Sequence, residues 1–420
     1  MFKSLRAVLL LSLLSALAIS VVAIGEDTSS IPGQIALVGA DYNIFSYDFA
    51  TSELTALSQD ASLNRHYQWP TWSTDGRIAY FCCDLRATQD TDAQVYISAD
   101  SISQGELVYE QSLASVIYAY WSPANCASAD STNCRDLALL MNDIGQGGLS
   151  VEMLHNGSDI TTSQSIASGS PFYYHWNSQG TQLIFHRNGT RLDIYDIAQN
   201  DVSFAFDVPS SGLFQAAAWS PVDNRVLFGM SNDVRGQSDL VISDGDAIRT
   251  LVANVEGFVS FLWSPDGNNI AYRTLNSAGE FGAVVVVDSR TGDEVSRSTA
   301  DGLIAFFWSP NSTKIAYLTI TEQTRSRILL GWSVLDIALG SDVQYSSFAP
   351  TYEMGYLIQY FDQFSPSHRL WSPDSRYLVY SEVVEVDGGI SPQVSVIDVN
   401  QPTSNPIKIS DGVFGVWSYE

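Results

Sequence analysis

A tryptophan-centred motif recurs along the chain, and this repeat constrains the fold more than any other feature. Its clearest copy is residues 263–267, Trp-Ser-Pro-Asp-Gly, which are followed by the apolar residues 270–272, Ile-Ala-Tyr. The eight copies are led by Trp72, Trp121, Trp176, Trp219, Trp263, Trp308, Trp371 and Trp417. Self-similarity at a nearly fixed period predicts stacked copies of one supersecondary unit.

Each copy of the repeat carries the signals of four short strands. An apolar run precedes the tryptophan, and the Ser-Pro-Asp-Gly turn leads into the Ile-Ala-Tyr strand, because proline presets φ and Asp-Gly supplies positive-φ positions. A third strand ends in an aspartate, as at residues 284–288, and a fourth short strand closes the unit. Helical periodicity is nowhere sustained. Four antiparallel strands recurring about every 45 residues predict an all-β fold, the β-propeller. The large flat tryptophans are then expected to fill the wedges between blades.

The two ends of the chain carry complementary parts of one unit. Residues 34–57 match the second, third and fourth strands, and residues 413–417 match a first strand without followers. Joining them makes a composite blade that leaves no sheet edge open. The sequence therefore predicts one propeller domain over residues 26–420 with eight four-stranded blades; seven blades is the alternative.

Residues 1–25 have the pattern of an export signal. Lys3 and Arg6 precede an apolar run over residues 7–22, and small residues suitable for cleavage follow at residues 21–25. The competing interpretation is an uncleaved membrane anchor, since the run approaches the length of a spanning helix. Cleavage predicts an extracytoplasmic protein, either periplasmic or secreted.

The charge of the chain limits its partners. Its net charge is −26 at pH 7, and such a surface repels nucleic acid and anionic lipid. We therefore expect no nucleic-acid partner, and no membrane contact beyond the N-terminal anchor if that segment is retained.

Four cysteines in an exported chain predict disulfides. Cys126 and Cys134 lie in one inserted turn, so we expect them to pair. Cys82 and Cys83 are adjacent near the end of a predicted strand, where neighbouring side chains point to opposite faces. A bond between them would be strained, and their state is left open.

One spacing between successive repeat tryptophans is longer than the others. Trp308 and Trp371 are 63 residues apart, whereas most intervals are 43 to 49 residues. The surplus is residues 346–366, hereafter the insertion, which carries six aromatic side chains and enters an innermost strand. These aromatics form either a recognition surface at the channel mouth or a plug that fills it.

The Trp-Ser-Pro-Asp-Gly repeat, with its following strand ending in aspartate, resembles the WD40-like (PD40) repeat of TolB-type propellers. The resemblance extends over residues 34–420 and implies the fold and export more firmly than any activity. TolB has six blades and an added α/β domain, which the repeats of this chain leave no room for. Related peptidase propellers carry a hydrolase domain, which is not expected here for the same reason.

Catalytic motifs are absent from the sequence. It contains no G-x-S-x-G, S-x-x-K, H-E-x-x-H, Walker or dinucleotide glycine motif. His66, His175 and His368 lie just ahead of repeat tryptophans, near the channel. The oligogalacturonate lyases, which carry a similar repeat, use channel histidines to bind a divalent metal. That resemblance makes these three residues the alternative metal ligands, although no cofactor and no catalytic residue is predicted.

We therefore expect an exported, non-enzymatic scaffold that binds a protein or glycan partner through its channel mouth and the insertion. The predicted contact residues are Tyr352, Tyr356, Tyr360, His368 and Arg369, with His66 and Tyr67 across the rim. Two alternatives remain open. One is a metal-dependent glycan lyase or hydrolase acting in the channel, and the other is a membrane-anchored sensor ectodomain.

Overall fold

The computed structural model describes most of the chain after the N-terminal segment. The described residues are 28–83, 92–126, 133–143, 148–157, 161–169, 171–187, 191–207, 217–232, 234–245, 247–325, 327–386 and 388–420. They form thirty β-strands and two short α-helices. The predicted signal peptide, residues 1–25, lies outside this part of the chain. No helix in the described ranges is long and apolar enough to cross a membrane.

The strands follow one another around the ring in chain order. The first three are β1 (Gln34–Gly39), β2 (Ile44–Asp48) and β3 (Glu53–Ala56). One four-stranded sheet contains β4 (Tyr67–Trp72), β5 (Ile78–Cys82), β6 (Ala93–Ser98) and β7 (Glu106–Gln111). The next contains β8 (Ala114–Asn125), β9 (Arg135–Asp143), β10 (Gly148–Asn156) and β11 (Thr161–Gly169). The third contains β12 (Pro171–Trp176), β13 (Gln182–Arg187), β14 (Arg191–Asp196) and β15 (Asp201–Asp207).

Three further four-stranded sheets continue the series. They contain β16 (Ala218–Trp219), β17 (Val226–Ser231), β18 (Gln237–Ser243) and β19 (Ile248–Glu256); β20 (Phe258–Trp263), β21 (Asn269–Leu275), β22 (Val285–Asp288) and β23 (Glu294–Arg297); and β24 (Leu303–Trp308), β25 (Lys314–Gln323), β26 (Ile328–Asp336) and β27 (Ser341–Phe348). The chain then forms α1 (Tyr352–Gln359) and α2 (Phe361–Phe364). The last strands are β28 (Tyr377–Val386), β29 (Gly389–Asp398) and β30 (Ile407–Trp417).

The two ends of the chain close the ring through β30. The first half of β30 pairs with β29, where Val396 lies opposite Ile407. Its second half pairs with β1, where Ile35 lies opposite Trp417. The pairing of the chain ends is therefore present, and it leaves β1 with neighbours on both sides.

The prediction of eight four-stranded blades is wrong. The described residues form seven sheets, six with four strands and one in the order β28-β29-β30-β1-β2-β3, so the protein is a seven-bladed propeller. The physical reason is that β30 runs unbroken across the two units that the sequence pattern separates. Trp371 and Trp417, which the repeat assigns to different blades, consequently belong to one sheet. Trp371 joins it through an isolated bridge to Leu378.

Five of the eight repeat tryptophans donate a hydrogen bond from their indole N–H to the preceding unit of the ring. All eight are buried. The indole N–H of Trp263 donates to the carbonyl of Ala218 at 3.2 Å, and that of Trp308 donates to Leu262 at 3.3 Å. In each case the acceptor directly precedes the tryptophan of the preceding unit, as it also does for Trp121, Trp176 and Trp371. These side chains therefore hold the ring together, as their periodic placement predicts.

The Ser-Pro-Asp-Gly turn is held by its own serine. The Ser264 hydroxyl accepts a hydrogen bond from the Asn269 backbone N–H at 2.9 Å and donates one to Asp266 at 2.6 Å. Gly267 has φ +69°, and a Cβ there would lie 2.3 Å from Val222 of the neighbouring unit. Only glycine fits both the turn and this close approach.

Candidate functional site

The insertion folds into two helices that enter the central channel. Its first residues belong to β27, and Thr351 then caps α1 by accepting a hydrogen bond from the Met354 N–H. The Thr351 hydroxyl also donates to the Val413 carbonyl at 2.7 Å, which ties the start of α1 to β30. Because α1 and α2 are short and carry buried aromatic residues, they depend on the surrounding strands for stability.

Aromatic packing fixes α1 and α2, hereafter the plug, between strands of several blades. The Phe361 ring lies 4.8 Å from that of Phe306. Phe364 lies 5.1 Å from both Trp69 and Tyr118. These partners come from β24, β4 and β8, so the helices fill the space between distant blades. Of the two alternatives for the insertion, the structure shows the plug.

The predicted contact residues do not form one surface. Tyr352 is 62% exposed, whereas His368 is fully buried at 0% exposure. Tyr67 is also buried, and its hydroxyl donates to Asp60 at 2.7 Å. Partner contact by His368 and Tyr67 is therefore inconsistent with this conformation, since neither side chain reaches the surface.

The remaining contact residues lie on opposite sides of the plug or within it. Tyr356 and Tyr360 are half-buried, with rings 5.0 Å apart. His66 stacks on Tyr42 at 4.0 Å, on the side of the plug where Tyr352 lies. Arg369 lines the opposite side. Partner contact by Tyr352 and His66 stays a prediction.

The three histidines proposed as metal ligands are separated in the structure. His66 lines a cavity of about 470 Å³ beside α1, and His175 lines a different cavity beyond the plug. His368 is enclosed among aromatic rings, and its Nδ1 lies 2.7 Å from the Ser367 hydroxyl. These residues therefore do not converge on one ion.

A cavity of about 430 Å³, hereafter the chamber, occupies the channel where the innermost strands end at their tryptophans. Its walls are the ends of these strands and the turns after them. Its floor is the plug, which contributes Asp362 and Gln363, with Ser365 and Pro366 just after it. The repeat tryptophans in its wall are Trp121, Trp176, Trp219, Trp263, Trp308 and Trp371. A mostly apolar cavity of this size with a few polar groups is typical of a ligand site.

Arg369 places a cation at the chamber wall. Its guanidinium carbon lies 3.7 Å from the centre of the Tyr419 ring. The Tyr419 hydroxyl in turn donates to the Pro366 carbonyl at 3.3 Å. Within the described part of the chain, the Arg369 guanidinium has no ion pair and no hydrogen bond.

His175 supplies a neutral acceptor to the chamber. Its Nδ1 lies 2.8 Å from the Trp176 carbonyl, so this nitrogen carries the proton. Burial lowers the pKa of His175 to about 4, which keeps the ring neutral at pH 7. The Nε2 atom is therefore an unprotonated acceptor, and no described residue hydrogen-bonds to it.

Asp362 is the carboxylate of the chamber floor. Burial raises its pKa to about 6, against the opposing attraction of Arg273. Arg273 lies outside the chamber, with its guanidinium carbon 4.2 Å from the Phe281 ring centre and 5.0 Å from that of Phe361. Arg273, and not Arg369, is therefore the cation that acts on this carboxyl group.

Three chamber residues depart from the repeat. Arg369 lies two residues before its tryptophan, where the other seven copies have Pro70, Ala119, Tyr174, Ala217, Phe261, Phe306 and Gly415. His175 directly precedes its tryptophan, at a position where five of the other copies carry aliphatic residues or phenylalanine. Tyr419 replaces the proline of Trp-Ser-Pro. Sequence reasoning missed Tyr419 and Asp362. The proline is also replaced by Thr74 and Ser178 in two other copies, so its loss does not single out Tyr419.

Both cysteine pairs form disulfides away from the chamber. Cys126 and Cys134 are joined with their Cα atoms 5.3 Å apart, and Cys82 is joined to Cys83. Among the described residues, Cys126, Cys134 and Asp136 also form the one group of three potential metal ligands within reach of each other. Because both cysteines are disulfide-bonded, they are not available as thiolate ligands.

Comparison with known proteins supports the fold. No family model matches the chain, and no curated protein matches its sequence. A solved structure of a eukaryotic initiation factor is similar, with 11% identity, 92% of this chain and 98% of that chain covered, and a TM-score of 0.51.

Two further solved structures are similar at lower scores. The propeller domain of the Trilobed protease from Pyrococcus furiosus has 11% identity, coverage of 83% of this chain and 96% of that chain, and a TM-score of 0.47. TolB from Acinetobacter baumannii has 13% identity, coverage of 84% and 82%, and a TM-score of 0.40. At these identities the likeness concerns the propeller fold alone.

Proposed function

We propose that the protein is a non-enzymatic binding propeller that receives a ligand group of a protein or glycan partner in the chamber. The observation that carries this proposal is that Arg369, His175 and Tyr419 line one aromatic cavity. All three depart from a repeat that is otherwise used for structure. Polar groups that a fold does not need, placed in a mostly apolar cavity, are typical of a binding site.

The chemistry of the chamber favours binding over catalysis. His175 is oriented by a backbone carbonyl, and its pKa of about 4 makes it a weak base near neutral pH. The Ser122 hydroxyl at the chamber wall donates to the Ala124 carbonyl at 2.8 Å, which leaves it without a general base. The metal-dependent lyase alternative loses support because its three histidines do not line one common cavity.

An extracytoplasmic location is part of this proposal. Two disulfides in one chain are typical of proteins from oxidising compartments. The Trp-Ser-Pro-Asp-Gly repeat supports placement among the PD40 propellers. The sensor alternative depends on retention of residues 1–25, which N-terminal sequencing of the exported protein would decide.

Filling the chamber tests the proposal. Ser365 is half-buried at the floor, so Ser365→Trp is expected to occupy the space while Ser365→Ala leaves it open. We expect neutral and anionic phenyl and indole fragments to give saturation-transfer NMR signals with the wild type and Ser365→Ala. These signals should vanish with Ser365→Trp at an unchanged melting temperature. Equal signals from all three proteins would contradict the proposed function.

A further inference from the structure

Arg369, like Arg273, forms no ion pair with a described residue and lies against an aromatic ring. The chain has 46 acidic and 20 basic residues, and eight other arginines in the described ranges pair with carboxylates. They are Arg65, Arg77, Arg135, Arg191, Arg225, Arg290, Arg297 and Arg376. Arg369 lies instead in an aromatic cavity with its five N–H donors unused by described residues. Its guanidinium contacts the Tyr419 ring and keeps its N–H donors available for a ligand.

The contact with Tyr419 prepares Arg369 for a planar anion. The guanidinium lies over the tyrosine ring at 3.7 Å, and the ring is itself held by the hydrogen bond to Pro366. Stacking uses the face of a guanidinium and leaves its edge available for two parallel hydrogen bonds. A carboxylate has the matching two-oxygen geometry.

The charge balance of the chamber also favours a single negative charge. Asp362 interacts with Arg273, so it does not neutralise Arg369. One guanidinium in an apolar cavity compensates one carboxylate, whereas a doubly charged phosphate would keep an uncompensated charge away from water. The aromatic walls and the acceptor Nε2 of His175 suit an apolar body with an N–H or O–H group.

We propose that the chamber recognises a carboxylate through Arg369, on a ligand whose apolar body packs against the repeat tryptophans. This inference rests on the proposed function and specifies its ligand chemistry. Two sources share this chemistry, namely a free small organic acid and the carboxyl terminus of a peptide chain.

Calorimetric titration with 3-phenylpropionate and its neutral amide, 3-phenylpropanamide, tests the inference. A charge-assisted hydrogen-bond pair should make the acid bind about ten- to a hundredfold more tightly than the amide. Arg369→Gln should abolish this preference, and Arg369→Lys should keep part of it. Arg290→Gln is the matched control, because that side chain is exposed and lies on a turn away from the chamber.

The outcomes separate the inference from the proposed function. Equal affinity for acid and amide in the wild type would overturn the carboxylate inference and leave chamber binding intact. Binding of neither probe would overturn both. With the preference established, N-acetyl-Ala-Ala-Phe and its C-terminal amide identify the source. Tighter binding of this peptide acid than of 3-phenylpropionate assigns a chain end, and weaker binding assigns a free acid.

Discussion

Two sets of aromatic side chains surround the channel, and they have different structural roles. The repeat tryptophans recur in every unit, and five of them donate their indole N–H to the preceding unit. The plug rings Phe361 and Phe364 have no periodic relatives, and they contact several blades at once. The first set builds the wall, and the second closes the channel. The chamber is the space between the tryptophan wall and the plug.

The largest expected effect concerns closure of the wall. Deleting residues 413–420 removes the half of β30 that pairs with β1, together with Phe414, whose ring lies 5.0 Å from Trp69. We expect a loss of more than about 5 kcal/mol, which is the whole stability of many domains. Thermal unfolding followed by circular dichroism measures it, with truncation after Ser418 as the control. An unchanged melting temperature would show that the ends do not close the ring.

Replacing a single tryptophan of the wall should lower the free energy of unfolding less than this deletion does. Trp371→Ala removes a buried ring and its hydrogen bond to the Phe307 carbonyl, so we expect a loss of about 3–5 kcal/mol. Trp371→Phe keeps much of the ring and should lose much less, with about 1 kcal/mol from the missing N–H. Urea unfolding of both variants provides the comparison. Equal losses would mean that the indole does not act as a wedge.

The plug should show a different phenotype from the wall. Phe364→Ala is expected to cost about 3 kcal/mol, the low end for a buried phenylalanine, because the insertion can partly collapse around the gap. Since the chamber floor loosens, 3-phenylpropanamide binding should also weaken. Phe364→Leu is the control. Calorimetry and urea unfolding together would contradict this view if stability fell while binding was unaffected.

Protonation of Asp362 gives a smaller, pH-dependent effect. Its folded pKa of about 6 lies above the ordinary value of 3.8, so the folded state binds this proton more tightly. The contribution of Asp362 to the free energy of unfolding therefore falls as the pH rises from about 4 to 6. Asp362→Asn should stabilise the protein above pH 6 by at most about 3 kcal/mol, and little below pH 4.

Melting temperatures across this pH range test the expectation, with Glu322→Gln as an exposed control. If Asp362→Asn gave the same change at pH 4 and pH 8, the carboxyl group would not be titrating in this window.

The smallest expected change in stability concerns Tyr352, which lies on the side of the plug that faces away from the chamber. Tyr352→Ala should change the free energy of unfolding by less than about 0.5 kcal/mol, because its side chain is largely exposed. Tyr356→Ala should cost more, since its ring packs 5.3 Å from Trp69. Urea unfolding compares the two. Equal losses of unfolding free energy would contradict the assignment of Tyr352 to the surface and Tyr356 to the core.

The periodic part of the fold was predictable because each wall position is dictated by local chemistry. Trp263, the turn at Gly267 and the strand after it follow from residue type and spacing. The blade count was not predictable, since it depends on whether β30 continues from β29 to β1 without a break. That continuity is a property of hydrogen bonding between distant segments.

The candidate site was predictable only in part. Arg369 and His175 could be noticed as polar residues near the channel, but their convergence with Tyr419 requires the ring to be closed. The insertion was recognised by its length, whereas its two helices lie in a sequence with no sustained helical pattern. Asp362 became relevant only when the plug placed it in the chamber floor.

A crystal structure of the protein soaked with 3-phenylpropionate tests the central claim most directly. We expect the ligand in the chamber, with both carboxylate oxygens within about 3 Å of the Arg369 guanidinium nitrogens and its ring against the tryptophan wall. A ligand bound beside His66 and Tyr352 instead, or an unoccupied chamber at saturating ligand, would contradict the assignment of this cavity as the binding site.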